Sequence, residues 1–306
     1  MTASIRPLDP DSCETNHTTL EVLISLFIVC GLIISYLPQH YRIISRKSSD
    51  GLSPWFLLLG CVSATCCLFN ILILQLRMVD CCKIVTPFTC IANTLGIIQL
   101  SLQWVMFTLI LALFMIYFPP QRKIVPYIRH LHFNSPPSHW SAEWRISVGV
   151  AITVAVHFIV TVFASFYFLE FFGRSEDNRV TKYWADFLGL TSMIFASIQY
   201  LPQIWKTWKR KSVGALSIPM MLMQTPGSFL FVYSLAIRPG TRWTTWIVFL
   251  VTGCLQGILL VMCICWHFRN QRLGHGPFSV DETSSLLGRD GRPLVPEGRT
   301  TNSTDV

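Results

Sequence analysis

Tyr36-Leu37-Pro38-Gln39 recurs 164 residues on as Tyr200-Leu201-Pro202-Gln203. At the same offset Arg46-Lys47-Ser48 recurs as Arg210-Lys211-Ser212, and Leu52-Ser53 as Leu216-Ser217. No other register carries such a run, so the chain holds an internal duplication. Each copy lies where an apolar stretch gives way to a basic one. A Pro-Gln pair, a basic stretch, then Leu-Ser opening the next apolar run predicts a hairpin of two membrane helices.

Composition supports the membrane reading. Hydrophobic residues make up 52% of the chain and charged residues 13%, too apolar and too weakly charged for an ordinary soluble domain. Seven runs reach the length of about 20 apolar residues that a span needs. They cover residues 20–41, 53–76, 90–118, 146–171, 183–205, 216–237 and 243–268. An odd number puts the termini on opposite sides. The first run does not read as a signal peptide: Asp9, Asp11 and Glu14 precede it instead of basic residues, and no small-residue cleavage site follows.

A net charge of +8 would suit a nucleic-acid partner, but its distribution argues for a membrane. The Lys and Arg residues divide two to one in favour of the side that holds the first, third and fifth loops and the C-terminal tail. The positive-inside rule then predicts a lumenal N-terminus and a cytosolic C-terminus. Asn16 in Asn16-His17-Thr18 is a candidate glycan acceptor on the lumenal side. Of the 11 cysteines, Cys13, Cys81 and Cys82 fall on that side, where a bridge from Cys13 to Cys81 or to Cys82 is allowed. Cys263 and Cys265 are candidates for acylation. Most of the rest read as packing residues. No spacing suggests a metal site, and no Ser-His-Asp grouping or phosphate loop points to an enzyme or a cofactor.

The fold class expected is an all-α integral membrane protein with seven transmembrane helices, arranged as two parallel three-helix repeats joined by a connector helix. The divisions are a lumenal segment 1–19, a first repeat 20–118, a loop and connector helix 119–182, a second repeat 183–268 and a disordered cytosolic tail 269–306. The connector is what gives both repeats the same orientation, about an axis along the membrane normal.

The duplicated Pro-Gln with its basic stretch, Ser and Leu-Ser resembles the PQ-loop repeat family. That family includes lysosomal cystine exporters and vacuolar and lysosomal cationic amino-acid exporters, and more distantly the SWEET transporters and the KDEL receptor. The resemblance implies an organellar transporter of a small polar solute, an amino acid or derivative, driven by protons. The stretch Leu59-Gly60-Cys61-Val62-Ser63-Ala64-Thr65, after the first motif, holds no acid to favour a cationic substrate. The alternatives on the same fold are a non-transporting receptor or trafficking factor, or a regulator of membrane lipid organisation.

Candidate working residues fall into four groups. Pro38 and Pro202 lack an N–H and disturb the helix one turn back, so with Gln39 and Gln203 they are candidate hinges of a gate. Polar residues within spans face a bundle interior or a cavity. Asp186, Gly189, Ser192, Ala196 and Gln199 lie on one helical face, as do Gly60, Ser63, Cys67 and Asn70. The repeat equivalents of the latter are Gln224, Gly227, Phe231 and Ser234, and Asn93, Gly96, Gln99 and Gln103 share one side of the third helix. Asn70, Asn93, Gln99, Gln103, Gln199, Gln224 and Gln256 are thus the candidates for a solute pathway, although small residues and amides also glue membrane helices together. Asp186, roughly 24 Å from Pro202 along its helix, is the candidate proton carrier, with His157 of the connector as the second.

The fourth group concerns address. Glu282, Leu286 and Leu287 have the acid and Leu-Leu spacing of an adaptor-binding sorting signal, with clathrin-adaptor complexes as partners. The expected residence is the vacuolar or lysosomal membrane. Lys206, Lys209, Arg210 and Lys211 with Trp205 and Trp208 read as an anchor at the lipid headgroups.

Overall fold

Long runs without charge leave the backbone no partner but itself, and they become helices. The computed structural model of the chain describes residues 13, 19–49, 52–123, 140–174, 178–210, 218–238 and 241–272. Nine helices lie within them: α1 (Thr19–Arg46), α2 (Pro54–Leu74), α3 (Leu76–Cys81), α4 (Pro87–Ile116), α5 (Pro120–Lys123), α6 (Ala142–Phe172), α7 (Arg179–Arg210), α8 (Ile218–Ala236) and α9 (Trp243–Arg272). Six are long and apolar enough to cross a membrane: α1, α2, α4, α6, α7 and α9. The seventh, α8, has 19 residues. At about 1.5 Å per residue it still spans close to the hydrocarbon thickness. Asn16, the Pro- and His-rich stretch 124–139, the second basic stretch from Lys211 to Ser217, and Glu282, Leu286 and Leu287 lie outside the described residues.

Local chemistry sets the helix ends. Pro54 and Pro87 open α2 and α4, where a missing N–H costs nothing. Thr86 Oγ1 accepts from Thr89 N, and Ser141 Oγ accepts from Trp144 N. Gly173 closes α6 at φ 79°, a left-handed conformation that suits glycine. The two motif helices do not stop near their Pro-Gln pairs. α1 runs on to Arg46 and α7 to Arg210, the same offset apart as the motifs.

Packing follows the duplication. Exchanging α1 with α7, α2 with α8 and α4 with α9 maps one set of contacts onto the other. The pair α1–α4 corresponds to α7–α9, α2–α4 to α8–α9, and α1–α8 to α2–α7. The last two pairs join the repeats. The connector α6 breaks the symmetry by packing on α2, α7 and α4. α2 is therefore the central helix, enclosed on several sides. α1 and α6 present Leu23, Phe27, Ile34, Ile152, Val156 and Phe163 outward, as a lipid-facing surface would. A core of Ile28, Leu68, Ile71, Leu100, Phe231 and Leu235, among others, fills the middle between the repeats.

Cysteine pairing extends the expected bridge and corrects one assignment. Cys13 pairs with Cys81, one of the two partners allowed. Cys90, placed at the start of the third span and not among the lumenal cysteines, pairs with Cys82. The α4 helix starts earlier, at Pro87, so its first turn lies beside the α3 loop and brings Cys90 to it.

Candidate functional site between the repeats

The small-residue face of α2 meets the small-residue face of α7. Ser63 Oγ donates to the Ser192 carbonyl at 2.9 Å, and Ser192 Oγ donates to the Ser63 carbonyl at 2.8 Å. Both serines are buried. From this clasp toward the motif end lies a cavity of about 150 Å³. Its polar wall includes Tyr36, Ser63, Gln103, Ser192, Gln199, Tyr200 and Thr252, and its apolar wall Phe56, Phe107 and Phe249. Tyr36 and Tyr200 are the first residues of the two duplicated motifs, so equivalent positions of both repeats face one shared space.

The polar groups on this wall differ in how far they are committed. Gln199 Nε2 donates to the Phe56 carbonyl at 3.2 Å, and Thr252 Oγ1 donates back to Val248 O at 2.8 Å. Tyr200 Oη donates to Gln256 Oε1 at 3.5 Å, and Gln256 Nε2 donates to Gln224 Oε1 at 2.8 Å. Gln224 and Gln256 thus reach the cavity only through Tyr200. Among the described residues, the Gln103 amide and the Tyr36 hydroxyl are not hydrogen-bonded.

Beyond the serine clasp the bundle is closed by buried hydrogen bonds. Fully buried Asn70 donates through Nδ2 to Ala185 O at 2.7 Å and accepts from Thr245 Oγ1 at 2.5 Å. Gln75 Nε2 donates to Thr241 Oγ1 at 2.7 Å. Across the other inter-repeat contact, Arg238 donates through Nη1 to Ala92 O at 3.1 Å and through Nη2 to Ser25 Oγ at 2.7 Å. Burial pushes the Arg238 guanidinium down to about 10, and the Glu21 charge opposes that shift. Gln99 Nε2 donates to Ser25 O at 3.1 Å, and Asn93 Nδ2 to Cys13 O at 3.2 Å. Asn70, Asn93 and Gln99 therefore belong to the closed end, while Gln103 and Gln199 line the cavity.

The proton candidates lie apart from the cavity. Asp186 Oδ1 sits 2.9 Å from Arg242 Nε and accepts from Thr244 Oγ1 at 2.9 Å, joining α7 to the start of α9. His157 Nε2 lies 3.7 Å from Cys66 Sγ at the α2–α6 contact, and its Nδ1 is buried without a hydrogen-bond partner. Pro38 and Pro202 face outward within α1 and α7, two residues after the cavity-lining tyrosines. Gln39 and Gln203 are half-buried beside them.

Sequence reasoning did not single out Tyr36, Tyr200, Arg238 or Arg242. The tyrosines stood inside the duplicated motif, which was the available signal. The two arginines looked like ordinary charges in the short loop before α9, yet both turn inward.

The sequence pattern of the PQ loop repeat matches residues 20–78 and 184–241. An uncharacterized protein of Schizosaccharomyces pombe, C4C5.03, is 36% identical over 271 residues, covering 83% of each chain. A eukaryotic SWEET transporter structure superposes with a TM-score of 0.49 at 15% identity, over 84% of this chain and 98% of that one.

Proposed function

Because the chain belongs to the PQ-loop repeat family and is a multi-pass membrane protein, we propose that it is an organellar transporter moving a small polar solute by alternating access. The observation that carries this reading is the cavity between the repeats walled by the equivalent residues Tyr36 and Tyr200. Repeats 20–118 and 183–268 are the moving bodies. In the opposite state the ties of Asn70 and Arg238 break, and the motif ends of α1 and α7 approach. Pro38 and Pro202, with Gln39 and Gln203, supply the bending points. An amino acid or derivative is the substrate class the family implies.

Proton coupling is assigned first to Asp186. Neutralising it from an acidic lumen would release Arg242 and loosen the join of α7 to α9. His157, away from the cavity, is the second candidate. Two independent signs support a lumenal N-terminus: the two-to-one basic bias, and disulfides at the end opposite the motifs, where an oxidising compartment would keep them. Asn16 is then a lumenal glycan acceptor. The tail is cytosolic, and Glu282, Leu286 and Leu287 direct the chain through clathrin adaptors to the vacuole or lysosome. Replacing Leu286 and Leu287 with Ala should divert it to the cell surface, and an unchanged location would remove that argument.

The test is uptake into proteoliposomes holding the purified chain, with a solute panel and a proton gradient imposed in either direction. Gradient-dependent uptake is expected. The closed floor beneath the cavity equally suits a receptor that binds without net transport. Saturable binding with no uptake in either gradient would establish that second reading.

A further inference from the structure

We infer that the shared cavity takes a solute of no net charge and rejects cations and anions of the same size; this deepens the transporter reading and rests on it. The first ground is the lining. Among the described residues no charged side chain faces the cavity, whose polar groups are hydroxyls and amides. A charge brought there would leave water without a counter-charge to meet it. The second ground is where the buried charges lie. Asp186 is six residues beyond Ser192 on α7, about 9 Å further along the helix and behind the serine clasp. It already faces Arg242 and Thr244. Arg238 is committed to Ala92 and Ser25.

The groups left free are neutral and of both polarities. Gln103 offers an N–H and a carbonyl, Tyr36 a hydroxyl, and Gln199 its Oε1. Such a set complements the dipoles of a neutral solute. It also holds the two ends of a zwitterion without surplus charge on the protein. Phe56 and Phe107, with ring centroids 6.1 Å apart, give the remainder an apolar wall. The cavity volume of about 150 Å³ suits a small solute. Aromatic walls also attract cations, so a cation is the rival occupant.

The experiment uses the full chain in detergent and in proteoliposomes with four probes: glutamine, glucose, lysine and glutamate. Glutamine, lysine and glutamate are similar in size and differ in net charge, while glucose carries no formal charge. Thermal stabilisation by glutamine or glucose is expected at concentrations at least about tenfold below those needed for lysine or glutamate. Glutamine alone indicates a zwitterion, and glucose alone a formally uncharged solute. Gln103→Glu should shift the preference toward lysine. Gln103→Met, which keeps the cavity neutral, should weaken the neutral probe without recruiting either ion. Preference of the wild type for lysine or glutamate overturns the inference, as does stabilisation by none of the four. Stabilisation by a neutral probe without its uptake leaves the inference standing and removes the transporter reading.

Discussion

Ser63 and Ser192 each give a hydroxyl hydrogen to the other's backbone carbonyl, at 2.9 and 2.8 Å, across the contact between the repeats. The duplication supplies a second such contact, α1 against α8, where the equivalent positions are Gly227 and Ile28. Among the described residues that contact has no reciprocal hydroxyl-to-carbonyl pair; it holds a bond between the buried Ser25 and Ser234 hydroxyls, 3.1 Å apart, and the Arg238 donation to Ser25 Oγ. A Cβ on Gly227, or on Gly31 of α1, would meet nothing within 4 Å. By contrast, a Cβ on Gly189 of α7 would come within 2.6 Å of the Thr244 carbonyl oxygen and 3.0 Å of Asn70 Nδ2. Both seams are polar, but Gly189 is tightly enclosed by α9 and α2 while Gly227 and Gly31 have open space beside them. A rocking motion of the repeats that pivots on the α2–α7 clasp would have to break the Arg238 and Ser25 bonds to open α1–α8.

The seams give the first prediction. Gly189→Ala should destabilise the chain by about 1–3 kcal/mol, since backbone must shift to admit the methyl group. Gly227→Ala should be neutral or stabilising by up to about 1 kcal/mol, because Ala is the better helix residue and the space is open. Denaturant unfolding in detergent compares the two. Equal losses at both sites would show that the space around the two glycines does not differ.

The faces of these helices were legible in the sequence, and their partners were not. Steps of three and four residues put Gly189, Ser192, Ala196 and Gln199 on one side of a helix, and Gly60, Ser63, Cys67 and Asn70 on one side of another. The stripe says that each helix packs closely or lines a space. It does not say which helix it meets, so Asn70 and Gln103 looked alike until packing separated a buried lock from a cavity wall. The 164-residue offset disclosed the repeat and the prolines. It could not disclose that the preceding tyrosines turn toward a common space, because that depends on how two repeats dock. Arg238 and Arg242 were hidden for a similar reason: a short loop reads as solvated until its side chains are seen to fold inward.

Thiol counting tests the disulfides. Of the 11 cysteines, seven are free: Cys30, Cys61, Cys66, Cys67, Cys254, Cys263 and Cys265. A maleimide of defined mass should add seven labels to the denatured, unreduced chain and 11 after reduction. The Cys13–Cys81 bridge closes a separation of 68 residues, for which chain entropy gives roughly 4 kcal/mol of stabilisation. Reduction should lower the unfolding midpoint accordingly. Eleven labels without reductant would remove both bridges and the argument they lend to topology.

Acid should weaken the loop end of the bundle through Asp80. Partial burial pushes its carboxyl up, but hydrogen bonds from Lys83 and Arg174, and their charges, outweigh that and hold it below the usual carboxylate range. A depressed folded value means that the unfolded chain takes up the proton first. The stabilisation is complete above the unfolded pKa and is lost as pH falls through the folded one. Asp80→Asn should flatten this acid-side loss and cost less than about 1 kcal/mol at neutral pH, since the ion pairs are partly exposed. An identical acid profile in the variant would show that Asp80 is not the group responsible.

Asp186→Asn should abolish the proton dependence of uptake while sparing the fold. The amide retains an oxygen for Thr244 and cannot titrate, although it no longer pairs with the Arg242 charge. Uptake measured with and without a pH gradient is the readout. Undiminished gradient dependence would transfer the role to His157.

The motif prolines should matter more to movement than to folding. Pro38 and Pro202 leave the carbonyls of Ile34 and Ile198 without their helical N–H partners, one turn back in each repeat. Tyr36 and Tyr200 sit inside those loosened turns and on the cavity wall, so bending there moves the wall directly. The helices nevertheless continue past both prolines to Arg46 and Arg210, which means a leucine would meet a helical backbone already in place. Pro38→Leu and Pro202→Leu should keep or raise the unfolding free energy, by up to about 3 kcal/mol each from the restored hydrogen bond and the relieved ring clash. Uptake should fall even so, with binding of the preferred solute retained. Full uptake from both well-folded variants would make the prolines static kinks, and rigid-body movement at the α1–α8 seam would then have to supply the motion alone.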